Sequence, residues 1–128
     1  MPPEPGSPAD WLRHARSDLS LARRTGDPDT LLETLCSHAQ QAVEKCLKAV
    51  LVSRGIAPPA THNLKTLIER IPSGLEVPAH VVDAAGLTDY AVTARYPVAY
   101  EEVGEEEHHG ALQTAERVMA WATSVLDR

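Results

Sequence analysis

Phenylalanine is absent from this sequence, and aromatic residues make up only 4% of its 128 positions. The apolar content is Leu, Val and Ala, small or branched side chains that let helices pack closely, so a helical bundle suits the composition better than a sheet sandwich. Cysteine is scarce too. Cys36 and Cys46 stand ten residues apart, about 15 Å along a helix, too far to bridge. No CxxC or Cys/His metal spacing is present. No apolar run approaches a membrane span, and no secretory signal opens the chain. These absences predict a soluble protein of a reducing, cytoplasmic compartment, with no membrane partner. Positive charge is in deficit as well: a net charge of −6 argues against a general nucleic-acid coat protein. The imbalance is local, however. Residues 11–24 carry four Arg and one Asp, whereas residues 101–107 carry five Glu, so a basic patch for a phosphate remains open. No GxSxG, HExxH, P-loop or GxGxxG motif occurs.

What is present is organised around Thr34 to Arg54, a stretch without Pro or Gly and rich in helix formers. At about 100° per residue, Leu35, Ala39, Ala42, Cys46, Ala49 and Val50 share one stripe. His38, Gln41, Lys45 and Lys48 share another, and Glu44 beside them is placed to pair with Lys48 one turn on. The helix thus offers an apolar seam to a bundle and, next to it, a line of one imidazole, one amide and two ammoniums.

The rest of the chain supplies neighbours for that helix. Residues 1–7 form a Pro/Gly-rich tail, and residues 8–128 one domain. Ser7-Pro8 reads as a helix start; the first helix runs to about Arg24 on a seam of Leu12, Ala15, Leu19 and Ala22, with Trp11 at its edge. Asp27 or Asp29 is expected to cap the second helix, Asp29 to Arg54, which Gly55 and Pro58-Pro59 stop. Thr61 is expected to cap a short helix over residues 62–70. Pro78 opens a further helix lasting to about Arg95, in which Gly86 signals close backbone approach or a tolerated defect. Tyr96, before Pro97, leaves helical angles. The last helix starts near Glu105, its Glu cluster suiting the positive end of the dipole, and Leu112, Ala115, Met119, Ala122 and Leu126 make its seam. Four long helices plus a short one joined by short links predict an all-α, up-down bundle.

Four groups are candidates for chemistry. In the first, the stripe of His38, Gln41, Glu44, Lys45 and Lys48, the ammoniums suit a phosphate, and His38 and Gln41 a base or ribose; a solvated helix face is the plain alternative. His62, after a rigid Pro-Pro turn, either points back at the bundle groove or seals its loop. Arg95 and Tyr96 sit at a helix C-terminus, where an Arg satisfies the dipole but where phosphate binding and base stacking also use such residues. His108-His109 resembles a metal handle but lacks spaced co-ligands, so no metal is expected.

These residues converge on a family. SHAQQAVEKCLKAVLVSRGIAPPATHNL, followed by ARYP, closely resembles the HEPN family (higher eukaryotes and prokaryotes nucleotide-binding domain). ADWLRHARSDLSLA is similar to that family's first helix and ALQTAERVMAWATSVL to its last, so the likeness covers about residues 9–127. It implies a bundle of four or five helices, a homodimer, no cofactor, and a nucleotide- or RNA-binding module. It also implies a minimal nucleotidyltransferase partner in a toxin–antitoxin-like pair. The candidate nucleotide- or RNA-binding residues are those read above, His38, Gln41, Glu44, Lys45, Lys48, His62, Arg95 and Tyr96, of which the resemblance carries over Arg95. Some HEPN proteins are metal-independent RNases, in which an Arg and a His separated by four to six intervening residues meet in a dimer cleft. Here Arg95 matches that Arg, but the allowed His positions hold Tyr100, Glu101 and Glu102. A Tyr with an ordinary pKa near 10 is a poor base at neutral pH, and the two Glu repel phosphate. The sequence therefore leans away from an enzyme. The alternatives are an RNase toxin pairing Arg95 with a displaced base, His38 or His62, and a non-catalytic structural partner.

Overall fold

The computed structural model describes residues 2–93 and 102–128, and among them every regular element is helical. Three long helices carry the architecture: α1 (Pro8–Ala22), α2 (Leu32–Ser53) and α6 (Glu105–Leu126). Between the last two lie α3 (Leu64–Glu69), α4 (Ala79–Asp83), a 3-10 turn (Ala84–Leu87) and α5 (Tyr90–Thr93).

The chain's punctuation accounts for most boundaries. Ser7 accepts the Asp10 N–H with Pro8 at the first helical position, so α1 starts as read. Gly55, at φ 75°, takes the left-handed conformation that ends α2. Two caps differ from expectation. Asp27 Oδ1 accepts the Asp29 N–H at 2.9 Å, closing a turn, and α2 begins only at Leu32, with Leu31 at the cap position and no side-chain cap. Asn63, not Thr61, caps α3 by accepting from the Lys65 and Thr66 N–H groups; Thr61 Oγ1 instead accepts the Asn63 N–H.

The expected helix from Pro78 to Arg95 is broken. Regular α geometry ends at Asp83, tightens into the 3-10 turn containing Gly86, and resumes at Tyr90, running to Thr93, the last residue described before 102. Gly86 does not mark close approach: a Cβ built there meets nothing within 4 Å. Its cost to α-helix, about 1 kcal/mol relative to Ala, falls where the helix fails. Arg95, Tyr96 and Tyr100 lie outside the described residues.

The core is the seams meeting. Leu12, Ala15, Leu19 and Ala22 of α1 are buried, as are Leu35, Ala39, Ala42, Cys46, Ala49 and Val50 of α2 and Ala115, Met119 and Ala122 of α6. Each fully buried Leu or Val contributes about 1.5–3 kcal/mol. Trp11 meets Lys48 while Asp18 meets His38, so α1 and α2 run antiparallel. His108 Nε2 hydrogen bonds the Ala22 carbonyl at 2.7 Å, pinning the start of α6 to the end of α1. That buried contact engages the first residue of the His108-His109 pair. Among the described residues no helix is long and apolar enough to cross a membrane.

Candidate functional site: two carboxylate-held histidines along α2

The polar stripe of α2 is not a loose solvated face. It is organised by two carboxylates from which water is almost wholly excluded. Asp18 of α1 sits opposite α2 with its side chain 9% exposed. Its Oδ1 accepts from His38 Nδ1 at 3.0 Å and its Oδ2 from Lys45 Nζ at 2.5 Å. His38 and Lys45 are seven residues apart, two helical turns, which puts both on the line that faces Asp18.

The second carboxylate, Glu44, belongs to α2 itself and is 5% exposed. Its Oε1 accepts from His62 Nδ1 at 2.8 Å and Gln40 Nε2 at 3.2 Å, and its Oε2 from Lys48 Nζ at 3.1 Å. Gln40 Nε2 also donates to the His62 carbonyl at 3.2 Å. His62 therefore does both things open to it: its ring returns to the bundle and its backbone seals the loop. Lys48 Nζ stands 5.4 Å from the centroid of the Trp11 ring, a cation–π contact.

The two halves share a design: one carboxylate, one imidazole, one ammonium. A carboxylate buried this deeply needs such partners, because an unpaired charge in a low-dielectric interior is strongly disfavoured. Each carboxylate only accepts, so each histidine must carry its proton on Nδ1. That leaves Nε2 as the remaining polar edge of both rings. The His62 side chain is 61% exposed and the His38 side chain 29%, so both rings reach solvent.

His38, Glu44, Lys45, Lys48 and His62 are thus brought together along one side of the molecule. Gln41 lies on the same helix, half-buried. Arg95 and Tyr96 fall outside the described residues. Sequence reasoning missed Asp18 and Gln40. Asp18 had a signal: it lies three residues after Ala15 and four before Ala22, on the apolar stripe of α1, where a lone acid requires cations. Gln40 had none, since an amide beside Gln41 looks like surface. It is fully buried, and its Oε1 has no hydrogen-bond partner among the described residues.

The cysteines stand apart from this site. Burial pushes the Cys46 thiol up to about 12. Burial first, then the charge of Glu107, pushes Cys36 up to about 11. Neither is a nucleophile at neutral pH. Among the described residues no group of three or more His, Cys, Asp or Glu is placed to hold a metal.

Comparison with known proteins agrees with this architecture. None of the curated proteins matches the chain. Among solved structures it is similar to TT1696 from Thermus thermophilus, at 29% identity and a TM-score of 0.83, over 94% of this chain and 99% of that one. It is also similar to ST0689, an archaeal HEPN homologue, at 25% identity and a TM-score of 0.72, over 94% and 98% of the two chains. A family model described as the HEPN domain matches residues 8–125, nearly the whole helical body with the Asp18 and Glu44 clusters inside it, and the chain belongs to the HEPN domain family.

Proposed function

We propose that this HEPN-domain protein is a nucleotide- or RNA-binding module that uses the polar side of α2. It works as a homodimer beside a minimal nucleotidyltransferase in a toxin–antitoxin-like pair. The observation that carries the binding reading is the pair of imidazoles, each fixed through Nδ1 by a buried carboxylate and reaching solvent. Fixed rings cost little entropy on binding and offer a hydrogen-bonding edge and a flat face to bases and ribose hydroxyls. Trp11, half-buried under Lys48, adds an aromatic surface at one end. The nucleotidyltransferase partnership and the dimer rest on what the family resemblance implies.

Titration calorimetry of the full chain with ATP, GTP and a short RNA tests the binding reading. A saturable heat for at least one ligand, weakened by His62→Gln, is the expected outcome. His62 is exposed enough for that change to leave the bundle folded. No heat with any of the three refutes the reading. Co-purification with the product of an adjacent nucleotidyltransferase gene tests the partnership.

One observation favours a second reading, metal-independent RNA cleavage. An imidazole backed by a buried carboxylate, as His38 is by Asp18, has the arrangement of a general base. Cleavage of RNA in the presence of a chelator, lost in His38→Gln, establishes that activity; intact RNA after prolonged incubation excludes it.

A further inference from the structure

The ammoniums of α2 are already committed. Lys45 is held by Asp18 and Lys48 by Glu44. Two cations facing two buried carboxylates leave little net attraction for a phosphate, so a nucleotide bound along this face must find another cation for its anionic end.

The structure offers one at a cavity that His38 also lines. Arg24, in the turn after α1, shares with His38 the lining of a cavity of about 340 Å³ between the end of α1 and the start of α2. That volume lies within the usual range for small-ligand pockets, about 300–1,000 Å³. Arg24 is exposed and makes no ion pair among the described residues, whereas Arg13 is held by Asp10 and Arg23 by Glu116. Leu21 and Leu35 give the cavity apolar wall, and Thr34 adds a hydroxyl. His38 reaches it with Nδ1 fixed, so Nε2 is the edge left for a ligand.

Asp27 also lines the cavity. A carboxylate there repels a bare phosphate ion but accepts hydrogen bonds from hydroxyls. The combination of a guanidinium, an imidazole edge and a carboxylate fits an ester better than an inorganic anion. Arg suits the charged phosphate oxygens, which its planar fork meets in pairs, and Asp27 suits the sugar.

We propose that the Arg24–His38 cavity receives the 5′-phosphate of a nucleoside, either free or at the 5′ end of an RNA, with Asp27 accepting from the ribose. This rests on the nucleotide-binding reading above and adds where the phosphate sits. Hydrogen bonds to charged groups of this kind are worth about tenfold or more each in affinity.

Calorimetry with 5′-AMP, adenosine, inorganic phosphate, and tetraadenylate with and without a 5′-phosphate tests it, using wild type, Arg24→Gln and His38→Gln. Arg24 is exposed, so its variant keeps the fold. The expected result is that 5′-AMP binds about tenfold or more tightly than adenosine and more tightly than inorganic phosphate, and that Arg24→Gln removes the advantage over adenosine. Tighter binding of the 5′-phosphorylated RNA than of 5′-AMP names the RNA end as the source; the reverse order names the free nucleotide. If adenosine equals 5′-AMP, or Arg24→Gln binds 5′-AMP like wild type, the phosphate assignment is overturned while nucleoside binding on α2 stands. If no ligand binds, both fall.

Discussion

Replacing Glu44 by Gln removes one charge and keeps the shape. Its carboxylate accepts three hydrogen bonds while 5% exposed, and the neutral amide cannot accept all three. The largest consequence falls on Lys48, whose side chain is only 11% exposed. Breaking a buried ion pair by removing one partner costs about 3–5 kcal/mol. Two features reduce that here. His62 is 61% exposed, so water replaces Glu44 for its ring. Lys48 also keeps its contact with Trp11, 5.4 Å away, worth about 0.5–1 kcal/mol. The net loss is about 2–4 kcal/mol, which lowers Tm by roughly 10 °C in a domain of this size. Urea denaturation reads it as a lower midpoint with an unchanged slope. The double variant Glu44→Gln/Lys48→Met, which removes both charges, should regain more than half of the loss. A single variant within about 1 kcal/mol of wild type, or a double variant no better than the single, refutes the idea that these partners hold each other in the fold.

Other expectations follow from single contacts. Ser7→Ala removes the α1 cap and costs about 1 kcal/mol, measured by the same denaturation. Gly86→Ala meets open space at a backbone angle any residue adopts, so it stabilises by about 0.4–1 kcal/mol. The buried thiols give a pH dependence. An unfolded thiol ionises near the ordinary value of 9.0, while the folded Cys36 and Cys46 hold their protons to about 11 and about 12. Above pH 9.0 the unfolded chain therefore binds fewer protons than the folded one, and this contribution to stability falls as pH rises. Exchanging both cysteines for Ala flattens the stability profile above pH 9.0; a profile of unchanged steepness contradicts the assignment.

The parts of the molecule legible in the sequence are those governed by helical period. The α1 and α2 seams are buried at every position read, and in α6 only Leu112 and Leu126, at the seam's two ends, stay half-exposed. The start of α1 was legible because a Ser-Pro pair leaves little choice. What was not legible depends on tertiary competition. Nothing local decides that Asp27 turns onto its own loop instead of capping α2, or that the chain after Pro78 tightens and breaks around Gly86. The site divides the same way. Spacing along α2 grouped His38, Lys45 and Lys48, but the charge that orients two of them comes from Asp18, twenty residues before His38 and on another helix. The histidine after the Pro-Pro turn could be assigned only once Glu44 was found beneath it. The expected convergence on Arg95 and Tyr96 lies outside the described residues.

The binding reading requires that the two carboxylate-held imidazoles, His38 on α2 and His62 in the loop before α3, share one ligand surface. The most direct test follows the ring resonances of all six histidines by NMR while a short RNA is titrated in. His38 and His62 are predicted to shift together and saturate at one concentration, while His14 and His80 stay in place. Shifts confined to His14, His80 or His109, or no shift at all, contradict a shared surface.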